Sequence, residues 1–173
     1  MSWERLEQVV APKVLLDAFE TSERLRALGV PHALVGGLAV GHHGYPRATK
    51  DVDFIVGEEA FATTSPLMTF REELADVVSW GIIDLLAALP DDPLLEAALQ
   101  LPPPGAVPIV PIEVLVLMKL RAGRSQDLAD IEHLVVAGAD VAGVLEWLRQ
   151  HAAKYVPTFS QIAQQALAQN NTP

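Results

Sequence analysis

Asp51-Val52-Asp53 sets two carboxylates one residue apart. On a β-strand, residues i and i+2 project to the same face, about 7 Å apart at the backbone, so both can converge on one cation or a close pair of cations. Thirteen residues lie between this pair and Gly36-Gly37 upstream. A turn without side chains lets backbone N–H groups approach a triphosphate, and a helix following it would aim its N-terminus at the anion. Magnesium takes a few carboxylates and leaves its other positions to water and phosphate oxygens. Alone, each pair is commonplace, since an Asp-x-Asp in an acidic chain is more often a solvated strand end. Their order and spacing are more informative: a strand, Gly-Gly, a short helix, then a strand opening on Asp-x-Asp.

The elements that must hold these residues are legible in outline. Residues 11 to 29 have helical apolar spacing, with Pro12 suited to a first turn and Gly29 to a stop. His32 to Val35 is a short apolar run closed by Gly36-Gly37, as expected of a buried strand meeting a turn. A short helix over Leu38 to His43 follows, and Gly44 with Pro46 breaks the chain. Asp51 to Val56 alternates polar and apolar residues, which predicts a strand with Asp51 and Asp53 on one face and Val52 and Phe54 on the other. Residues 58 to 76 are weakly patterned and are assigned to helix. Val77 to Leu86 is rich in β-formers and has Asp84 near its end.

After a turn at Pro90 to Pro93, a short helix is expected over Leu94 to Leu101. The run Pro102-Pro103-Pro104-Gly105 reads as a stiff loop, and Val107 to Val110 as a short strand. Pro111 opens a helix over Ile112 to Ala122 that is apolar nearly all round and so should be buried. Ser125 to Ala137 forms the next helix, Asp140 is an N-cap for one running to about Ala152, and Thr158-Phe159-Ser160-Gln161 fits a capping box for the last.

Composition narrows the chemistry. With 173 residues, half of them hydrophobic, the chain can bury a core of its own. There is no cysteine, so disulfides and thiolate metal sites are excluded and any metal must be held by oxygen or imidazole. That favours magnesium or manganese. A formal net charge of -10 argues against broad nucleic-acid binding, which depends on Lys and Arg neutralising phosphates. The acidic remainder would suit a basic protein partner. No apolar run is long enough to span a membrane, and Glu4, Arg5 and Glu7 do not make a signal peptide, so the expected location is the cytoplasm.

The stretch from Ala33 to Val56 resembles the motif of the polymerase-beta-like nucleotidyltransferases, a Gly-[Gly/Ser] pair followed after a gap by [Asp/Glu]-x-[Asp/Glu]. Arg47, Thr49, Asp51 and Asp53, as Arg-x-Thr-x-Asp-x-Asp, are similar to the AbiEii-like bacterial members. The segment Pro111 to Ile131 resembles their helical region, where a Lys, an Arg and an Asp-x-x-Asp-[Ile/Leu] recur in that order. The resemblance covers roughly residues 12 to 137. It implies an α/β (α+β) nucleotidyltransferase fold, a small mixed sheet flanked by helices. Residues 1 to 110 would be the catalytic core, and residues 111 to 173 a C-terminal helical cap packed on it in a single compact unit. It also implies a third metal ligand from a later strand, and Asp84 in Gly81-Ile82-Ile83-Asp84-Leu85-Leu86 is the matching position. An idle charge between such neighbours would be costly.

The expected activity is magnesium- or manganese-dependent transfer of a nucleoside monophosphate from a nucleoside triphosphate to an acceptor hydroxyl, on RNA, protein or a small molecule. The resemblance places it in a toxin-antitoxin or phage-defence setting. The alternative is an inactive nucleotide-binding or protein-interaction module on the same fold. Asp51, Asp53 and Asp84 would hold the metal, beside Gly36 and Gly37. Lys119, set within a largely apolar helix, would neutralise pyrophosphate or else snorkel at the helix edge. Arg47 and Arg124 would bind phosphate or pair with carboxylates, and Thr49 would position the acidic strand. Asp127 and Asp130 read more simply as acids favouring a helix N-terminus, with Arg124 beside them. His42 and His43 cannot share a helix face, so one packed and one exposed histidine is expected. Trp80 and Trp147 read as core or edge residues rather than a base-stacking platform.

Overall fold

A computed structural model describes residues 3–62, 69–75, 77, 82–88 and 92–170. The fold is mixed α+β, with helix predominating over a small sheet. Helix α1 (Pro12–Ala27) starts on Pro12 and buries Val14, Leu15, Ala18 and Leu25. Strand β1 (His32–Leu34) follows, then helix α2 (Gly36–His42) and strand β2 (Val52–Val56). Strands β3 (Phe61–Ala62) and β4 (Thr69–Phe70) form a separate antiparallel pair, and β5 (Ile83–Ala87) returns to the main sheet. A one-turn helix, α3 (Pro93–Glu96), precedes four longer ones: α4 (Ile112–Ala122), α5 (Ser125–Val136), α6 (Val141–His151) and α7 (Val156–Asn170).

The main sheet has the order β1-β2-β5, with β2 antiparallel to β1 and parallel to β5. Its register sets Asp53 opposite Asp84 and Ile55 opposite Leu86. One face, through Val52, Phe54 and Val56, packs with Leu25 of α1 and with Leu6 and Leu74. The other face carries Ala33 and Ile55 and packs with Ala39 and Val40 of α2 and Val114 and Leu115 of α4. Helix α4 is buried nearly all round, as its composition predicts. Its other side, through Val116, Leu117 and Leu120, meets Ile131, Leu148 and Phe159 of the following helices. It thus joins the sheet to the helical layer. Gly123, at φ +63°, ends it in the left-handed conformation, with its N–H on the Lys119 carbonyl.

Several expectations need correction. The described residues between 58 and 76 do not form one helix: Glu58–Ala60 and Glu72–Leu74 are single 3-10 turns flanking the β3-β4 pair. Phe61 and Phe70 stack across that pair with ring centroids 4.8 Å apart, a contact that a helical reading of a weak pattern misses. Strand β5 starts at Ile83, so Asp84 lies near its beginning; Val77 is outside it, and Trp80 lies outside the described residues. The helix expected at Leu94 to Leu101 stops at Glu96. At Val107 to Val110 only an isolated bridge forms, Leu34 with Ile109, supported by the Val110 N–H on the Leu34 carbonyl. The last helix begins at Val156, so Thr158 lies inside it and caps nothing; Pro157 occupies the first turn instead. The Asp140 cap is present, its carboxylate accepting from the Gly143 N–H at 3.0 Å. No helix among the described residues is long and apolar enough to cross a membrane.

Candidate active site

The Val35 N–H bonds the Asp53 carbonyl at 2.8 Å, which ties the end of β1 to the acidic strand. At Gly36 the chain turns with φ +62°, a conformation that a side chain resists. A Cβ there would overlap the Asp53 carboxylate. A Cβ at Gly37 would meet Thr49 Oγ1 at 2.9 Å and Arg47 Nη2 at 3.4 Å. The two glycines are therefore what allow the turn to lie against Asp53, Thr49 and Arg47. Thr49 in turn donates to the Asp51 carbonyl at 3.3 Å.

Asp53 is half-buried on β2, and Asp84 stands beside it on β5. Asp51 is exposed and precedes the strand by one residue. Burial raises the Asp53 pKa, and the neighbouring charges of Asp84 and Asp51 raise it further, against a weaker pull from Lys119 and Arg124. Among the described residues no side chain donates a hydrogen bond to any of the three carboxylates. They form a patch of concentrated negative charge without an internal counterion in contact.

The cations of the cleft are bound to a second acidic pair. Lys119 on α4 is 5% exposed, and its ammonium reaches Asp130 at 2.7 Å and Asp127 at 3.2 Å. Asp130 is fully buried and also accepts from Arg47 Nε at 2.8 Å, Arg47 Nη2 at 3.0 Å and Gln126 at 3.0 Å. Asp127 accepts from Arg124 Nε at 2.6 Å. Burial alone would raise both carboxyl pKa values. It is outweighed, by Arg124 and Lys119 at Asp127 and by Arg47, Lys119 and Gln126 at Asp130, so both are held below the ordinary range. Arg124 differs from the other two cations, because its side chain is 78% exposed and can leave Asp127 without opening the core.

The nine residues that the sequence assigns to the metal and phosphate site all line one cleft of about 450 Å3: Gly36, Gly37, Arg47, Thr49, Asp51, Asp53, Asp84, Lys119 and Arg124. No protein-family model matches the chain, and no curated protein matches it either. The function of the cleft therefore has to follow from its own chemistry.

That chemistry suits a hard divalent cation in part. Asp51, Asp53 and Asp84 supply only oxygen donors on one side of the cleft, and Gly36 leaves room for the Asp53 carboxylate. Yet among the described residues no three acidic or imidazole groups gather closely enough to hold a metal ion by themselves. Protein ligands alone do not close a coordination shell here. Water and phosphate oxygens would complete it, which is how magnesium is usually held.

The pairing of Arg124 with one of the two acids is as the sequence suggests, at Asp127, but the binding of Lys119 and Arg47 by Asp127 and Asp130 is not anticipated there. Asp127 lies in the first turn of α5 and Asp130 beyond it; both neutralise Lys119, and Asp130 pins Arg47 across the junction between the β1-β2 region and α5. The signal was available: a lysine within an apolar helix needs acidic partners, and an Asp-x-x-Asp on the next helix provides two on one face. Lys119 accordingly neither snorkels nor stands free. His42 and His43 also depart from expectation, because neither is exposed. His43 Nε2 donates to the Val110 carbonyl at 2.8 Å, whereas His42 Nδ1 is buried without a partner; burial lowers both pKa values. Neither lines the cleft, and neither does Trp147, which packs on the helical core and stacks on His151.

Proposed function

We propose that this chain is a magnesium-dependent nucleotidyltransferase of the polymerase-beta-like type, close to its AbiEii-like members. It would transfer a nucleoside monophosphate from a nucleoside triphosphate to an acceptor hydroxyl. The observation that carries the proposal is the contact between Gly36 and Asp53 in a cleft that also holds Asp51 and Asp84. A glycine required by both its φ and its carboxylate neighbour is hard to explain as packing alone.

Asp51, Asp53 and Asp84 would hold the metal, which would supply positive charge against the triphosphate and favour ionisation of the acceptor hydroxyl. The bare backbone at Gly36-Gly37 admits the phosphates beside Asp53. The acceptor hydroxyl gives its proton to solvent, its oxygen bonds to the α-phosphorus as the bond from that phosphorus to the α,β-bridging oxygen breaks, and pyrophosphate leaves with that electron pair. Arg124 is the cation free enough to follow the leaving group, exchanging Asp127 for phosphate. Arg47 and Lys119 contribute fixed positive charge from their places on Asp130.

Incubation with α-phosphate-labelled nucleoside triphosphates, magnesium, and separate RNA, protein and metabolite fractions tests this reading. Label should pass to one fraction and be lost with Asp53→Ala. A second reading, a nucleotide-binding or protein-interaction module without transfer, is favoured by the lack of a self-sufficient metal cluster among the described residues. Nucleotide binding with neither label transfer nor pyrophosphate release would decide for it.

A further inference from the structure

The cleft has a second, chemically different side. On β5, side chains alternate across the sheet, so Ile83 and Leu85 face the α1 core while Asp84 and Leu86 face the cleft. Ile55, the register partner of Leu86, is fully buried in the core that α4 completes. On the edge strand that cover is incomplete, and Leu86 remains 44% exposed. Met118 and Ala122, one turn apart on α4, line the same cleft, with Leu115 one turn further back. Together they form an apolar strip beginning about 7 Å along the strand from Asp84.

The polar side chains of the cleft leave this strip to apolar contact. Arg47, Lys119, Arg124, Gln126 and Thr49 each already donate to an acceptor within the protein. A flat, weakly polar ring carried on a phosphate chain satisfies both sides of the cleft at once. We infer that Leu86, Met118 and Ala122 form the nucleobase subsite, holding a purine or pyrimidine ring while its phosphates lie against the acidic side. This rests on the reading of the cleft as a nucleoside triphosphate site and adds how the nucleoside end is held.

Calorimetric titration of the whole protein with ATP, CTP and inorganic tripolyphosphate, each with magnesium, separates the two sides. Wild type should bind both nucleotides more tightly than tripolyphosphate. Leu86→Ser should weaken ATP and CTP by about 5- to 10-fold, as expected for loss of a half-buried leucine contact. It should leave tripolyphosphate within about twofold, and Leu86→Met should restore nucleotide binding. Circular dichroism melts of both variants establish that they are folded. Tripolyphosphate bound as tightly as ATP by wild type, or nucleotide affinity unchanged in Leu86→Ser, would overturn the subsite while leaving the phosphate site standing. An equal loss for all three ligands would overturn it too, as a structural effect. If wild type binds none of them, the nucleotide reading of the whole cleft fails, and the subsite with it.

Discussion

Asp53 is held at some cost to stability. It is half-buried, faces two other carboxylates and has no hydrogen-bond donor among the described side chains. Its pKa is raised in the fold, so relative to the unfolded chain the folded state prefers the protonated form. That contribution is fully present below the unfolded carboxylate value and is lost as pH rises through the higher folded value. Asp53→Asn, neutral at every pH, should therefore raise the melting temperature without magnesium at pH 7, by about 2–4 °C. The gain should shrink as the pH falls through the same window. Melting curves of both proteins from pH 4 to 8 check this, and a variant less stable than wild type at pH 7 would contradict it. Asp130 is the opposite case, a buried acid with every oxygen occupied. Asp130→Ala would leave Lys119 with Asp127 alone and Arg47 without its carboxylate, and should cost about 3–5 kcal/mol, measured by urea unfolding. A loss below about 1 kcal/mol would mean that the network relaxes into solvent.

At the scale of elements, the β1-Gly-Gly-α2-β2 unit and helix α5 approach the cleft from opposite sides. Gly36→Ala meets both a positive φ and the Asp53 carboxylate, so it should cost about 1–2 kcal/mol and displace that carboxylate. Magnesium-dependent nucleotide binding should fall even at temperatures where the variant is folded. On the other side, Asp127 and Asp130 fasten α5 to Lys119 and Arg47. Their pKa values are lowered, so their contribution is present above the unfolded carboxylate value and is lost as pH falls through the lower folded values. Amide exchange in α5 should accelerate in that acidic range ahead of α1. An α5 that keeps its protection until global unfolding would contradict the fastening role.

What the sequence revealed follows from where its signals are local. The Gly-Gly turn and the Asp-x-Asp strand depend on single-residue conformations and a period of two, so their placement was readable. Helix α1 was also readable, from apolar spacing and a glycine stop, and α4 from Pro111 and its run of apolar residues. The β3-β4 pair was not, because it depends on Phe61 meeting Phe70 across an intervening segment. Thr158 has the spacing of a cap, but Pro157 ahead of it already lies in the first turn of the last helix. Asp130 is the plainest case: its role comes from Arg47, 83 residues away in the chain, and no local pattern carries that contact.

At the scale of the molecule, the cleft lies where α4 joins the sheet to the helical layer, with Asp53 and Asp84 on the sheet and Lys119 and Arg124 on the helical side. A ligand carrying both a metal and a phosphate chain would satisfy the two sides together, and neither component alone would. The most direct measurement is calorimetric titration of wild type and Asp53→Asn with ATP, in excess magnesium and in chelator. The prediction is clear binding by wild type only in magnesium, weakened at least tenfold by Asp53→Asn. Equal affinity in magnesium and chelator, or an Asp53→Asn protein that binds as wild type does, would contradict a metal-nucleotide site in this cleft.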